Sequence, residues 1–382
     1  MSIVQPIDEA VKTDQPWSVR MADSMIARHS PDAAQWHYEH GLLLMAIEWV
    51  WRATGDARYW DHVKGTVDLS IAPDGTIRTY NPEEHNLDQI NHGRVLFPLY
   101  QATGDERYKR AIMLLRQQLA SQPRTDSGGF WHKQIYPYQI WLDGVYMAGP
   151  FYAQYARTFD EPAGFDDVAH EIILTEQHTR DQKTGLLYHA WDERKQQRWA
   201  NPETGCSPHF WGRAIGWYAM AIVDVLDYFP QDHPRRPELM TIFARLTEAV
   251  AKVQDQASGL WYQVLDQPER AGNYLEASAS CMFTYAIAKA VRKGYLPTDW
   301  MAVARRGHEG ILRDLITVDA QGLVTLERVC SVAGLGGNPY RDGSFEYYVS
   351  EPVRANDYKG VGPFILASLE MEGAGSDDSA RR

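Results

Sequence analysis

Two eight-residue stretches, ATGDARYW at 53–60 and ATGDERYK at 102–109, recur 49 residues apart, and each joins one apolar helical stretch to the next. A repeat at this spacing constrains the fold more than any local signal, because each unit must bury its apolar face on its neighbours. In both copies the glycine suits the position just past a helix C-terminus, and the aspartate suits the N-cap of the following helix. A second element follows the other helices: PDGTIRTY (73–80), SGGFWHKQ (127–134), TGLLYHAW (184–191), SGLWYQVL (258–265) and QGLVTLER (321–328). Each is a glycine turn followed by apolar or aromatic residues, the pattern of a short strand or hairpin.

Between these landmarks the periodicity predicts helices near 17–30, 38–53, 57–71, 90–102, 106–122, 143–158, 164–180, 211–229, 236–255, 277–293, 298–316 and 357–371. They alternate in character. Segments such as YKRAIMLLRQQLA (108–120) are amphipathic, with Lys and Arg on an outer face, whereas WGRAIGWYAMAIVDVL (211–226) is apolar all round, as a buried helix must be. Six hairpins of one outer and one inner helix, with no strand-rich region and no linker, give an all-α fold: an (α/α)6 barrel with short β-hairpins in the long loops on one face. A linear helical solenoid is the competing architecture. The barrel is expected to occupy residues 1–372 as a single catalytic domain, with a disordered tail at 373–382, GAGSDDSARR.

The predicted connections are unequal. Inner-to-outer turns are mostly short, while outer-to-inner connections run to about 18 residues or more, and about 40 between 317 and 356, lengths that usually carry function. All of them emerge beside the N-termini of the inner helices, so the site belongs at that end. The formal net charge of −12 argues against nucleic acid and anionic membranes as partners. The 13 Trp and 21 Tyr suit stacking on sugar faces as well as core packing. Three scattered cysteines form neither a disulfide framework nor a thiolate metal site. The N-terminal stretch has no apolar h-region and no segment approaches 18 apolar residues, so the expected location is cytoplasmic.

Within QIWLDGVYM (139–147) the carboxylate of Asp143 interrupts an apolar run at the start of an inner helix. An N-cap is one explanation and a catalytic acid another. Trp141 and Leu142 would favour the protonated form, and Gly144 would allow close approach of another group. Asp88, in EEHNLDQINHGRVLF (83–97), holds the equivalent position one repeat earlier, so two carboxylates should project at one rim. Two caps in tandem repeats are the alternative to an acid–base pair on sugars. His189, in LLYHAWDE (186–193), and Trp211, Arg213 and Trp217, in HFWGRAIGW (209–217), belong to the same face. A cation on the first turn of a helix opposes the helix dipole, so Arg213 needs a carboxylate partner, either a ligand or an Asp or Glu of the chain. His132 and Lys133 bring positive charge near the rim or form solvated surface, and Glu346 and Glu351 are unassigned carboxylates. There is no phosphate loop, HExxH or G-x-S-x-G motif; His37 and His40, three apart, lack a third metal ligand.

Over nearly its whole length the chain resembles glycoside hydrolase family 105, the unsaturated rhamnogalacturonyl hydrolases, and more distantly the unsaturated glucuronyl hydrolases of family 88. The resemblance rests on WLDGVYMAGPFYAQYA (141–156), NLDQINHGRVLFPLY (86–100), LLYHAWDE, HFWGRAIGWYAMA (209–221) and YKGVGPFILASLE (358–370). It implies an (α/α)6 barrel acting on short lyase-generated oligosaccharides that end in a 4,5-unsaturated uronic acid, such as unsaturated galacturonyl-rhamnose from pectin. It also implies hydration of the C4=C5 enol ether, after which the ring opens and the remaining sugar leaves. On matching motifs Asp143 would donate the proton and activate water, and Asp88 would be the second carboxylate. His189, Trp211, Arg213 and Trp217 would hold the unsaturated ring and its carboxylate. Lys133 and Met147, with His132 and Trp141, would line the pocket. No metal or organic cofactor is implied. A sugar epimerase or isomerase on a similar barrel and a non-enzymatic helical scaffold are the competing readings. Oligomeric state and the aglycone sugar are not legible in the sequence.

Overall fold

A computed structural model of the chain describes residues 15–373. The N-terminal stretch and the tail from residue 374, about which the sequence raised expectations, lie outside the described residues. The helices are α1 (Trp17–Arg28), α2 (Tyr38–Thr54), α3 (Ala57–Asp68), α4 (Asp88–Asn91), α5 (Leu96–Thr103), α6 (Glu106–Ser121), α7 (Leu142–Thr158), α8 (Ala163–Thr179), α9 (Gly212–Val225), α10 (Arg236–Lys252), α11 (Ala277–Arg292), α12 (Met301–Asp314), α13 (Phe345–Ser350) and α14 (Tyr358–Met371). Short strands punctuate the loops: β1 (Gln139–Trp141), β2 (Ala190–Asp192), β3 (Ile316–Val318), β4 (Val324–Leu326), β5 (Val329–Cys330) and β6 (Val353–Arg354).

The inner helices form a closed ring. α2 packs on the α4–α5 segment, which packs on α7, then α9, α11 and α14, and α14 returns to α2. This closure makes a barrel rather than a linear solenoid. The outer helices α3, α6, α8, α10 and α12 lie against α2, α5, α7, α9 and α11, and α1 covers α14. α9 and α11 are buried along nearly their whole length, as the all-round apolar pattern required.

The repeated Thr-Gly-Asp stretches act as local punctuation. Gly55 and Gly104 end α2 and α5 in the left-handed conformation, and Asp56 and Asp105 cap α3 and α6 through the amides of Arg58 and Arg107. The helix expected at 90–102 starts earlier, at Asp88, and tightens to a 3-10 turn over His92–Val95 before α5. Pro98 explains the interruption. It has no N–H to bond the carbonyl of Arg94, and its ring crowds that carbonyl.

The hairpins expected inside each long loop are mostly single bridges, Ile71 to Ile77, Arg124 to Phe130 and Arg180 to Leu187, with β3–β4 the full hairpin. The β1–β2 pair instead joins two different loops, with Trp141 opposite Ala190. The connection read as a loop from 317 to 356 contains α13.

A charged network runs down the inside of the ring. Arg94 donates to the Tyr146 hydroxyl at 2.9 Å and to Asp224 at 2.8 Å, and Lys289 reaches Asp224 and Asp227, both at 2.7 Å. Burial disfavours the Asp224 charge, but Lys289 and Arg94 outweigh it and hold the carboxyl below its ordinary range. Two cations against two anions leave the interior paired.

Candidate active site

Three consecutive repeats build the rim in the same way. The residue four positions after the turn glycine, His132 after Gly128, His189 after Gly185 and Gln263 after Gly259, offers its backbone carbonyl to the start of an inner helix. Leu87 N meets His132 O at 3.2 Å, Leu142 N meets His189 O at 3.1 Å, and Gly212 N meets Gln263 O at 2.9 Å. The next residue in each case is Asp88, Asp143 or Arg213. One backbone bond therefore sets three charged side chains at equivalent positions, each beside the side chain of its own loop.

Neither carboxylate is a helix cap. The capping positions are Leu87 and Trp141, and no side-chain cap bond forms at either helix. Asp88 lies 2.6 Å from Lys133 Nζ and 3.3 Å from His132 Nε2. Burial disfavours the Asp88 charge, yet Lys133 and His132 outweigh it and hold the carboxyl well below the usual carboxylate range. Asp88 also raises the Lys133 ammonium above its ordinary value against the effect of burial. The option that His132 and Lys133 are solvated surface is thereby corrected, because both turn inward to pair with Asp88. His132 stacks on Trp141 with centroids 4.9 Å apart and rings 2° from parallel. A Cβ on Gly144 would lie 2.9 Å from His132 Nδ1, so this position must be glycine for the histidine to approach α7.

Asp143 stands in a different setting. Its Oδ2 lies 3.2 Å from His189 Nε2, in contact but not aligned as a hydrogen bond, and neither atom has another partner. The other ring nitrogen of His189 lies 2.8 Å from the Tyr348 hydroxyl. The His189 ring is fully buried between Trp141, at 5.3 Å, and Trp211, at 4.8 Å.

Arg213 is 0% exposed and forms no ion pair among the described residues, so the alternative of an Asp or Glu partner is not found among them. One guanidinium nitrogen donates to the Cys330 carbonyl; Nε and Nη1 are buried without a partner. Burial works against its charge, but Cys330, Glu276 and Asp357 outweigh burial and hold the guanidinium above its ordinary range. A buried fork with two donors that meet no partner among the described residues has the geometry to take a carboxylate. Trp211, beside it, donates from Nε1 to Gln263 at 3.1 Å.

Trp217 lies one turn deeper, stacked on Tyr146 with centroids 4.8 Å apart and edge-on to Tyr38 at 6.2 Å. It thus links the rim to the Arg94 network. Met147, expected on the pocket wall, is packed into the hydrophobic core one turn below Asp143. Glu346 is exposed and pairs with Arg270. Tyr38, Gln263, Tyr348 and the Cys330 carbonyl escaped the sequence reading. Tyr38 feels Asp88, Arg213 and Asp143 together, and its position at the start of an inner helix was the available signal. For Gln263 that signal was its offset from the turn glycine. Among the described residues no group of three or more His, Cys, Asp or Glu is arranged to hold a metal ion.

The sequence matches the family model described as Glycosyl Hydrolase Family 88 over residues 17–374. The chain belongs to Glycosyl Hydrolase Family 88. It is a glycoside hydrolase, and the epimerase and scaffold readings are not favoured. The structure of a glycoside hydrolase from family 105 of C. acetobutylicum ATCC 824 superposes with a TM-score of 0.92 at 50% identity, covering 94% of this chain and 99% of that one. This agrees with the resemblance to family 105 and with the (α/α)6 barrel. Protein Atu3128 of Agrobacterium fabrum (strain C58 / ATCC 33970) is 41% identical over 230 residues, 59% of this chain and 97% of the relative. The unsaturated rhamnogalacturonyl hydrolase YesR of Bacillus subtilis (strain 168) is 28% identical over 283 residues, 72% of this chain and 76% of the relative. No helix of the described residues is long and apolar enough to cross a membrane.

Proposed function

We propose that this family 88 enzyme releases a 4,5-unsaturated uronic acid from the non-reducing end of lyase-generated disaccharides, with unsaturated galacturonyl-rhamnose from pectin as its substrate. The observation that carries this reading is Arg213, a buried, charged guanidinium with two unused donors one repeat on from Asp143. Its fork suits the planar uronate carboxylate and would hold the ring against Trp211.

Asp143 donates its proton to C4 of the enol ether, and water adds to the resulting cation at C5. The water proton returns to Asp143, so the residue ends the step as it began. The C5 hemiketal then opens to a ketone, leaving a hemiacetal at C1 that collapses to an aldehyde and expels the aglycone sugar. Asp88, held ionised by Lys133 and His132, stabilises the positive charge that develops on the ring. The Arg213–carboxylate pair, the Trp211 face and the Trp217–Tyr146 stack orient the ring. A cytoplasmic site of action, expected from the sequence, belongs to this proposal and is tested by cell fractionation.

The assay is loss of the enol-ether ultraviolet absorbance against unsaturated disaccharides made by pectin, ulvan and glycosaminoglycan lyases. Loss with the rhamnose-linked substrate supports the proposal. Unchanged absorbance across the panel overturns it.

A further inference from the structure

The longest connection in the chain, between α12 and α14, sends three groups to the rim. The Cys330 carbonyl accepts from Arg213, and Arg341 donates to the Tyr136 hydroxyl at 3.0 Å beside the Trp141–His132 stack. The third group, the Tyr348 hydroxyl on α13, meets His189 Nδ1. Tyr348 is fully buried, and Gln263 anchors it by donating to its backbone carbonyl at 2.9 Å. Ser344 caps α13 through the Tyr347 amide at 3.1 Å.

We propose that Tyr348 is a positioning residue that fixes His189 as the neutral Nε2–H tautomer, so that Oδ2 of Asp143 is held as an acceptor and Oδ1 carries the catalytic proton. The inference rests on the reading of Asp143 as the acid. The Tyr348 hydroxyl has His189 as its hydrogen-bond partner, and its proton is free to point at Nδ1. With the hydroxyl donating, Nδ1 accepts and the ring proton sits on Nε2, facing Asp143. The group that meets Nδ1 is a phenol hydroxyl rather than a carboxylate. The groups facing the ring are Asp143 from α7, Tyr348 from α13, and the indoles of Trp141 and Trp211; Tyr347, Arg341 and Asp342 stand behind Tyr348. With Oδ2 facing the ring N–H in both protonation states of Asp143, the other oxygen, Oδ1, gives the proton to C4 and receives it from water. The ring need not move between the two half-steps.

The test is 15N spectroscopy of the His189 ring in the full-length enzyme, together with kinetics of Tyr348→Phe and Tyr347→Phe. The wild type is expected to show a neutral Nε2–H ring near neutral pH. Tyr348→Phe is expected to mix the tautomers, to lower kcat about ten- to a hundredfold, the effect of one unpaired buried hydrogen bond, and to leave KM within about twofold. Tyr347→Phe removes a neighbouring hydroxyl that accepts from Gly334 N at 2.9 Å, and it should leave the His189 signals unchanged. An Nδ1–H ring or an imidazolium in the wild type overturns the proposal, even if Tyr348→Phe does not fold. Equal effects from Tyr347→Phe also overturn it, since they would reflect general loosening of the segment. The ring signals need no substrate, so inactivity on every unsaturated disaccharide would overturn the functional reading separately.

Discussion

Asp88 with His132 and Asp143 with His189 are two copies of one local device, one repeat apart, and they differ in the third partner. Asp88 has a cation, Lys133, at 2.6 Å. Asp143 has only its histidine, whose far nitrogen faces a neutral phenol. The first carboxylate is therefore fixed as an anion. The second has no Lys or Arg paired with it among the described residues, and that sets the two surroundings apart. Two carboxylates in different surroundings suit the acid–base division that the proposed chemistry needs.

The comparison breaks most sharply at Asp143. Asp143→Asn should lower kcat by about two to four orders of magnitude, the range of general acid–base catalysis, with the fold intact by circular dichroism. Near-wild-type turnover would remove Asp143 from the mechanism. Arg213→Lys keeps the charge but loses the fork, and kcat/KM should fall about ten- to a hundredfold, mostly through KM.

Lys133→Met tests the other copy. The Asp88 carboxyl lies below its ordinary range in the folded chain, so the stability it contributes is present above the unfolded value near ~3.9 and is lost as pH falls through the folded value. Without the cation the folded value rises, and acid unfolding of the variant should begin at higher pH than in the wild type. At neutral pH the lost pair should cost about 1–3 kcal/mol, less than a fully buried pair because Lys133 keeps some solvent contact. Urea midpoints at two pH values separate the two effects.

Gly144→Ala should cost about 1–3 kcal/mol by pushing its Cβ against His132 Nδ1 and Leu87, which would also loosen His132 from Asp88. Thermal unfolding reads the cost. The smallest effect belongs to Glu346→Gln, whose exposed pair with Arg270 lies outside both copies. Its turnover should stay within about twofold of wild type, and a large loss would draw that carboxylate into the site.

Much of this was legible because the determining interactions are local. Gly55–Asp56 and Gly104–Asp105 cap adjacent helices within a few residues, so the helix boundaries were readable to within a turn except around Pro98 and α13. The equivalence of Asp88 and Asp143 followed from the repeat. What stayed hidden was which residues from distant loops complete each position. Lys133 lies 45 positions from Asp88 and Tyr348 159 positions from His189, and no period connects Arg213 to the Cys330 carbonyl 117 positions away.

The amino-acid sequence alone determined the helical repeat, the inner and outer faces, the loaded rim and the side chains that stand on it. Each of these follows from short-range periodicity and capping, which act before the chain closes. Only the tertiary structure decided that neither aspartate is a cap, that Lys133 pairs with Asp88 while His189 alone faces Asp143, and that no Asp or Glu among the described residues pairs with Arg213. Those outcomes depend on the closed ring and the long α12–α14 connection. They bring charges together in a dry interior, where one neighbour at 3 Å outweighs everything along the chain.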